Sequence, residues 1–361
     1  MRLFQNSGIY RSYLPRLAEL RRDCTSFAQA TEVFLADRFG ATHFLKPVLD
    51  GNSDAFFTNG DDPIAQRMWA IENGLKPDTP LDEILLAQVE HHRTEVFYNL
   101  DPMRYGNAFL TRLPGHVRRT IAWRAAPSAG GDFLKHDAIV NNFPGLLAEY
   151  RAQGTRAEYL APAHDPVMDS YAARIDRPID VLFVGTYSRH HSTRALLLEA
   201  VARLRGEMTV AMHIDRSRFT WLAESPLGII GPLAKHKRPR DVRAVAHPPV
   251  FGRDLYSALS SARIVINGAI DMAGGERGNM RVWEALGCGA AMVSDAGRYP
   301  DEIEAGRDFQ IYATPEEAVA LIRALQADPA RCAAIADAGH ATIASRYSKA
   351  RQWHRFQEIV E

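Results

Sequence analysis

The chain has 361 residues, and its 43 basic and 43 acidic side chains give a formal net charge of zero. This balance gives no electrostatic support for binding DNA or RNA, so we expect no nucleic-acid partner. Cys24, Cys288 and Cys332 are odd in number and far apart, which argues against a disulfide framework or a structural zinc site.

Strand-like and helix-like segments alternate along the first half of the chain. The predicted strands are Met1–Asn6, Thr42–Val48, Ala55–Thr58, Thr94–Leu100, Arg118–Arg124, Ala138–Asn141 and Glu158–Leu160. The predicted helices are Tyr10–Asp23, Phe27–Arg38, Pro63–Glu72, Leu81–His92 and Pro144–Gln153. Such alternation is typical of a parallel sheet covered by helices on both faces.

The second half repeats this alternation after a polar segment, Pro162–Pro178, that contains three prolines. The predicted strands are Asp180–Val184, Met208–Ile214, Ile264–Ile270, Ala290–Asp295 and Phe309–Ala313. Helices are predicted at Thr193–Arg205, Arg253–Ala262, Pro315–Asp328 and over most of Ala330–Glu361, and Pro226–Pro249 is predicted to be loop. We therefore predict an α/β fold of two doubly wound, Rossmann-like domains facing a cleft, with ligands at the carboxyl ends of the strands.

One stretch, Gly274–Gly289, joins a glycine-rich loop to an amphipathic helix between two predicted strands. Free N–H groups and the positive end of the helix dipole coincide at such a point, which favours anions. We therefore expect a diphosphate-containing ligand at Gly278–Arg281. Glu276 and Glu284, eight positions apart, would contact hydroxyl groups on either side of it.

The stretch Glu276–Gly289 resembles the nucleotide-sugar motif of GT-B-fold glycosyltransferases of family 4 (group 1), in which Glu-x7-Glu is followed by Ala-Leu/Met-x-x-Gly. The variant Asn-Met-Arg-Val-Trp-Glu-Ala is more similar to the CgeB-like branch. Asp180–Ser188 and Ala290–Asp295 extend the resemblance, which covers roughly residues 180–345. It implies a GT-B architecture with an acceptor domain at 1–168, a donor domain at 169–344, and a last helix, 345–361, that packs back on the first domain.

The resemblance also implies roles for individual residues. Glu284 would bind the ribose hydroxyls of the nucleotide, and Glu276 would bind hydroxyls of the transferred sugar. Gly278 and Asn279 would offer backbone N–H groups to the distal phosphate, and Arg281 would contact a phosphate. From the residues alone, the alternative for Arg281 and Glu284 is an i,i+3 ion pair of a helix, and the glycines and flanking strands favour the role in a binding site.

The turn after Asp180–Val184 begins at Gly185, where the resemblance implies a further part of the nucleotide site. The pair of basic residues usual in family 4 is not cleanly present there. Arg189, with His190 beside it, is the nearest candidate.

Several residues are candidates for a general base that accepts the proton of an acceptor hydroxyl. Asp101 follows the predicted strand Thr94–Leu100, although it is also well placed to cap the turn before Pro102. His136 and His164 are further candidates at predicted strand edges. The glycine-containing turn Gly8–Tyr10 is expected to come close to the cleft or to be a simple tight turn.

Metal-dependent sugar transfer usually shows an Asp-x-Asp pair, and this sequence has none. We therefore predict no metal and no other cofactor, with the departing diphosphate stabilised by Arg281, Arg189 and the helix N-terminus. The phosphate-binding loop of NTPases, the dinucleotide fingerprint and the hydrolase elbow are also absent as motifs.

These observations predict a glycosyltransferase that moves a sugar from a UDP- or GDP-sugar to a hydroxyl acceptor, which is a glycan, a lipid-linked molecule or a protein. Two alternatives remain open. One is a GT-B-fold epimerase of a sugar nucleotide, and the other is a non-catalytic sugar-nucleotide-binding protein of a polysaccharide or spore-coat pathway.

No apolar stretch reaches the ~20 residues that span a bilayer, and the first ten residues lack a signal-peptide core, so we predict a cytoplasmic protein. The helix Tyr10–Arg22 carries four arginines beside an apolar stripe. It is either a core-packing helix with a solvated basic face or a peripheral contact with the inner face of the membrane.

Overall fold

The computed structural model describes residues 1–128, 131–187, 192–216, 218–225, 237–268 and 274–361. Within these ranges the chain forms two compact units. The first unit comprises Met1–Ala163, a short segment that ends at Glu276, and Tyr347–Glu361. The second unit comprises His164–Asp271 and Arg277–Arg346.

The first unit is built on a parallel sheet of six described strands. They are β1 (Leu3–Asn6), β2 (Ala55–Thr58), β3 (Val96–Asn99), β4 (Arg119–Trp123), β5 (Ala138–Asn141) and β6 (Ala157–Tyr159). Their order in the sheet is β2-β1-β3-β4-β5-β6, and every described pairing is parallel. The strand order therefore reverses between β1 and β3, and the loops after these two strands flank the position where such sheets bind ligands.

Helices follow the strands of the first unit. They are α1 (Leu14–Leu20), α2 (Phe27–Asp37), α3 (Lys46–Leu49), α4 (Pro63–Glu72), α5 (Leu81–His91), α6 (Asn107–Leu110) and α7 (Pro144–Ala152). Local sequence explains where they start: the Ser26 side chain accepts the N–H of Gln29 at α2, and Asp62 caps α4, which has a proline in its first turn. Phe4 and Phe97 of adjacent strands are fully buried and pack with Leu85 and Val89 of α5.

The prediction of a strand at Thr42–Val48 is wrong. This segment forms a 3₁₀ turn at Ala41–His43 and the short helix α3, with Pro47 at its start. Proline fixes φ at a helical value and cannot donate a hydrogen bond to a neighbouring strand. The apolar side chains of this segment therefore reach the core from a turn and a short helix. Its buried apolar residues are Phe44, Leu45 and Val48.

The second unit has a second parallel sheet of six described strands. They are β7 (Ile179–Gly185), β8 (Val210–Ile214), β9 (Ala246–His247), β10 (Ala262–Asn267), β11 (Ala291–Asp295) and β12 (Gln310–Tyr312). The order is β12-β11-β10-β7-β8-β9, again with parallel pairing. Its strand order reverses between β10 and β7, so the carboxyl ends of these two strands flank the expected ligand position of this sheet.

The described helices of the second unit are α8 (Met168–Ala172), α9 (Ser192–Arg203), α10 (Arg218–Glu224), α11 (Arg240–Ala244), α12 (Gly252–Ser260), α13 (Met280–Gly287), α14 (Pro315–Ala327) and α15 (Pro329–Arg346). The prediction that Pro226–Pro249 is entirely loop is wrong, because α11 and β9 lie within it. Residues 226–236 lie outside the described ranges. Two sheets of this kind confirm the predicted α/β class with two doubly wound halves.

The last helix, α16 (Lys349–Val360), belongs to the first unit. Lys349 is only 5% exposed, and its Nζ donates to the carbonyl oxygens of Ala41, Thr42 and Phe44 at 2.7–3.0 Å. Further along α16, Gln352 donates to the carbonyl oxygen of Ala161 at 3.0 Å. In the described chain no helix is both long and apolar enough to cross a bilayer.

Candidate functional site

The glycine-rich stretch forms a loop that leads into α13. Gly274 and Gly275 have φ values of 56° and 88°, a left-handed conformation that glycine adopts without strain. Asn279 is the N-cap of α13 in an extended conformation, and its side chain makes no capping hydrogen bond. The start of α13 therefore lacks the usual side-chain acceptor for its first N–H groups, which is the arrangement that suits an anion.

The side chain of Asn279 instead joins this helix start to the ends of two strands. Asn267, the last residue of β10, exchanges two amide hydrogen bonds with Asn279, at 3.2 and 2.9 Å. Asn267 also donates to the hydroxyl of Ser294 on β11, at 2.9 Å. The N-terminus of α13 is thus fixed against the carboxyl ends of β10 and β11, which makes it a rigid position for a ligand.

Arg281 and Glu284 form the i,i+3 ion pair that the sequence allowed, with Arg281 Nη1 2.8 Å from Glu284 Oε2. The pair is not on the surface, since the two side chains are 15% and 6% exposed. Among the described residues, the buried Nε of Arg281 has no hydrogen-bond partner. A buried donor left without an acceptor is costly, so an acceptor supplied by a ligand at this atom would be stabilising.

The residues beside this pair hold the loop in place. Gly278 is buried directly before the N-cap. Arg277 donates from Nε to Asp295 at the end of β11, at 2.5 Å, and from its backbone N–H to the carbonyl of Arg298, at 2.8 Å. Gly185 ends β7, where a Cβ would come within 2.9 Å of the Phe183 ring, so packing alone already requires a glycine there.

Glu276 lies in the first unit, at the start of α7. Both of its carboxylate oxygens accept the backbone N–H of Gly145, at 2.9 and 3.1 Å. The residue is 7% exposed, and the N-cap of α7, Phe143, provides no side-chain cap. Glu276 therefore stabilises a helix N-terminus, a role that sequence reasoning did not consider.

Arg189 and His190 lie outside the described residues, but the structure places another arginine, Arg194, at the carboxyl edge of the second sheet. It is on the first turn of α9 and donates to Thr186 Oγ1 at 3.3 Å and to the carbonyl oxygen of Gly268. Burial lowers its pKa from the ordinary value. Sequence reasoning missed Arg194, although a cation one turn into the helix after the first strand of a Rossmann-like half was a usable signal.

Asp101 follows β3 in the first unit. Its backbone N–H donates to Asn99 Oδ1 at 3.0 Å, and its carboxylate lies 3.5 Å from Arg104 Nε. Burial raises the pKa of Asp101 from its ordinary value. The alternative role as a turn residue is also realised, because the N–H groups of Arg104 and Tyr105 bond to the Asp101 carbonyl oxygen.

A second carboxylate, Asp61, lies at the same edge of the first sheet and was missed as a site residue. Its Oδ2 accepts the N–H of Ile9 at 3.1 Å, and burial, followed by the charge of Asp101, raises its pKa. A Cβ on Gly8 would lie 3.3 Å from Asp101 Oδ2. The loops after β2, β1 and β3 therefore bring two carboxylates to the point where the strand order reverses.

The two histidine candidates are held by hydrogen bonds inside the protein. His136 is 3% exposed, with Nδ1 2.7 Å from the Phe133 carbonyl oxygen and Nε2 3.3 Å from Asn99 Nδ2. His164 is in the second unit, with Nε2 2.7 Å from Asp169. Burial lowers the pKa of both imidazoles, so they are neutral core residues at neutral pH.

The arginines of the predicted basic helix are divided between the interior and the surface. Arg16 bonds to Asp37, and the buried Arg21 bonds to Asp62, while Arg11 and Arg22 are exposed. Half of the predicted basic face is therefore engaged inside the first unit. Among the described residues, no group of three or more His, Cys, Asp or Glu side chains is placed to hold a metal ion.

Comparison with known proteins bears on the fold of the chain. Residues 191–359 match a family model described as glycosyl transferase-like, and no curated protein matches the sequence. Anabaena Alr3699/HepE in complex with UDP and glucose has a TM-score of 0.62 at 12% identity, over 100% of this chain and 99% of that chain. A glycosyltransferase from Rickettsia africae has a TM-score of 0.55 at 10% identity, over 99% and 97% of the two chains.

A mutant of S. aureus TarM in complex with fondaparinux, alpha-GlcNAc-glycerol and UDP has a TM-score of 0.54 at 10% identity, over 78% of this chain and 59% of that chain. At such low identities the likeness establishes the fold. The chain has the GT-B fold. The stretch matched by the family model contains Arg194, α13 and all of α16 except its last residue, whereas Asp61 and Asp101 lie before it.

Proposed function

We propose that this protein is a glycosyltransferase that moves a sugar from a nucleoside-diphosphate sugar to a hydroxyl acceptor, without a metal or other cofactor. The observation that carries the proposal is the start of α13. There a helix N-terminus without a side-chain cap is combined with a buried Arg281–Glu284 pair. Both features suit a diphosphate attached to a ribose.

In this proposal the diphosphate binds to the N–H groups around Gly278 and Asn279 and to Arg281. Arg194 is proposed as a second cation for the diphosphate, because its guanidinium lies at the ends of β7 and β10. The negative charge that develops on the departing diphosphate is then stabilised by fixed cations and a helix dipole. Arg189 remains a proposed further contact.

Glu284 is proposed to bind the ribose hydroxyls through Oε1, because Oε2 bonds to Arg281. Glu276 is proposed to bind hydroxyls of the transferred sugar. Its two oxygens each accept one bond from Gly145, and ionised carboxylate oxygens have lone pairs for further donors. A UDP donor is supported by HepE, whose structures include complexes with UDP-glucose and with UDP.

Asp101 is proposed to act as the general base that accepts the proton of the acceptor hydroxyl. Its position beside the reversal of strand order in the first sheet suits a ligand. The raised pKa, caused by burial, makes its carboxylate a stronger base than an exposed aspartate.

Several finer points belong to the same proposal. We place the protein in the CgeB-like branch, as a hexosyltransferase of polysaccharide biosynthesis in the cytoplasm. Contact with the inner face of the membrane through Tyr10–Arg22 is a separate proposal that depends on Arg11 and Arg22, the two arginines of this segment that are exposed.

The test is isothermal titration of the protein with UDP, GDP and UDP-glucose. We expect one nucleotide to bind, and Glu284→Ala to weaken its binding at least tenfold, since a bond to a charged group contributes about 1.5–3 kcal/mol. Glu316→Ala, at an exposed position of α14 in the same unit, is the matched control and should bind as the natural protein does. If neither UDP nor GDP binds to the natural protein, the donor site is refuted.

A further inference from the structure

Arg124 is a cation at the carboxyl edge of the first sheet that the proposed function does not use. It follows β4 directly, and β4 lies between β3 and β5 in the sheet. Adjacent strands are about 4.8 Å apart. Arg124 therefore lies one strand away from Asp101, after β3, and one strand away from the N-terminus of α7, where Glu276 binds Gly145.

The backbone and the Nε of Arg124 are held by hydrogen bonds. Its N–H donates to the carbonyl oxygen of Val140 at 3.1 Å, and its carbonyl oxygen accepts the side-chain N–H of Asn141 at 2.7 Å. Nε donates to the hydroxyl of Ser128 at 2.6 Å. The position of this guanidinium is therefore set before any ligand arrives.

Arg124 has no carboxylate partner among the described residues, although it is partly buried. Arg16 and Arg21, the other inward-facing arginines discussed for this unit, each bond to an aspartate. The two residues of the Arg124 loop outside the described ranges are Ala129 and Gly130, which carry no charge. The guanidinium bonds to neutral groups, the hydroxyls of Ser128 and Tyr150, so its charge has no carboxylate counterpart among the described residues. A planar guanidinium of this kind suits a carboxylate, sulfate or phosphate.

The charge of Arg124 also reaches Asp101. It lowers the pKa of that carboxyl and so opposes the effect of burial, yet the two groups form no ion pair within 4.0 Å among the described contacts. A carboxylate and a cation without a carboxylate partner among the described residues therefore lie at the same edge of the first sheet. This arrangement matches a molecule that presents a hydroxyl to one group and an oxyanion to the other.

Building on the proposed function, we propose that the acceptor is an anionic saccharide whose carboxylate, sulfate or phosphate group binds the two terminal nitrogens of Arg124 while its hydroxyl meets Asp101. The backbones of the strands that carry the two residues are one strand spacing apart, about 4.8 Å. The anionic substituent and the attacking hydroxyl therefore belong to the same or to neighbouring sugar rings.

The experiment compares methyl glucuronide, glucose 6-sulfate and glucose 6-phosphate with the neutral methyl glucoside. Each is titrated into the full-length protein, both alone and saturated with UDP. At least one anionic sugar should bind about tenfold or more tightly than the glucoside, and the tightest identifies the oxyanion. Arg124→Met should remove this preference, and Arg124→Lys should retain part of it, because it keeps the charge without the fork.

Arg118→Met is the matched control. Arg118 precedes the same strand, β4, at the opposite edge of the sheet and is exposed, so the preference for anionic sugars should persist in this variant. Circular dichroism and the melting temperature show whether each variant is folded. If Arg124→Met does not fold, Arg124→Lys decides the question by a reduced preference.

The inference is overturned if no anionic sugar binds more tightly than the glucoside, or if the preference survives in Arg124→Met. It is also overturned if Arg124→Met loses UDP affinity instead, since Arg124 would then serve the donor. Failure of the proposed function has a different signature. The natural protein then fails to bind UDP and GDP, while the titrations without nucleotide still measure the preference for anionic sugars.

Discussion

Asp101 and Asp61 are carboxylates that the fold partly removes from water, and burial is the largest cause of the raised pKa of each. Asp61 accepts the backbone N–H of Ile9, and Asp101 lies 3.5 Å from Arg104 Nε. The charge of Asp101 repels that of Asp61 and raises the pKa of Asp61 further. Carboxylates in this state have the stronger basicity that proton transfer requires. They also make the stability of the protein depend on pH.

The sign of this dependence follows from the raised pKa. The ordinary pKa of Asp101 is near 3.8, so the folded state binds its proton more tightly than the unfolded state does. The stabilisation that protonated Asp101 gives to the folded state is fully present below the ordinary pKa of an aspartate. It is lost as the pH rises through the raised pKa of Asp101 in the folded state. We expect Asp101→Asn, which stays neutral, to be more stable than the natural protein at pH 7 and to lose that advantage near pH 3.

Urea unfolding at a series of pH values measures this difference. Asp78→Asn, at an exposed position of the same unit, should show no comparable dependence on pH. An advantage of Asp101→Asn that stays constant between pH 3 and pH 7 contradicts the prediction. The same variant should lose sugar transfer while UDP binding persists.

Some site residues were not predictable one at a time, because their partners are distant in sequence. Asn267 bonds to Asn279 and Ser294, which are 12 and 27 positions away. A pattern of neighbouring residues does not predict such a network. Asp61 was not predicted as a site residue, and the helix start beside it is capped by Asp62. Its approach to Ile9 across 52 positions depends on the order of the strands.

At the scale of elements, α13 depends on an ion pair that is enclosed by the second unit. Removing Arg281 alone would leave the buried Glu284 carboxylate without a cation, which costs about 3–5 kcal/mol in comparable pairs. We expect Arg281→Met to destabilise the protein by roughly this amount. The double variant with Glu284→Leu should recover most of the loss, because the unpaired charge is then gone.

Unfolding by urea checks both variants, and neither should bind UDP. The matched control is Arg93→Met, which breaks an exposed i,i+3 pair with Glu90 whose side chains are 66% and 53% exposed. Arg93→Met should lower the free energy of unfolding by less than about 1 kcal/mol. Equal losses for Arg281→Met and Arg93→Met would show that burial adds nothing to the pair.

The helix α16 depends on one buried ammonium group. Lys349 satisfies the carbonyl oxygens of Ala41, Thr42 and Phe44, and buried acceptors without donors cost about 1–3 kcal/mol each. We expect Lys349→Met to lower the free energy of unfolding by about 2–4 kcal/mol. Chemical denaturation measures this free energy. Arg351→Met, at an exposed position two residues away on the same helix, is the control and should change it little.

Elements whose signals are local were predicted well, and those decided by packing were not. The glycine loop and the amphipathic pattern that includes Trp283 predicted α13. Both signals depend only on residues that are close together in sequence. The apolar run at Thr42–Val48 was assigned to a strand, since short apolar runs fit strands and helices equally. Pro47 was the signal that should have favoured a helix start.

At the scale of the whole molecule, the alternation of strands and helices was sufficient to predict two parallel α/β halves, and the resemblance of Glu276–Gly289 to a nucleotide-sugar motif added the GT-B fold. It was not sufficient for the chemistry of the first half. The acceptor side depends on which loops meet at one sheet edge, and the order β2-β1-β3-β4 cannot be derived from the order of the strands along the chain.

The return of α16 to the first unit has a consequence for how the protein is made. The first unit contains residues from both the beginning and the end of the described chain, and Arg119 of β4 donates to the carbonyl oxygen of Val360 across 241 positions. During synthesis, chains emerge from the N-terminus onward. The second unit, whose residues lie between Ala163 and Tyr347, is therefore synthesised before α16 can add its residues to the core of the first unit.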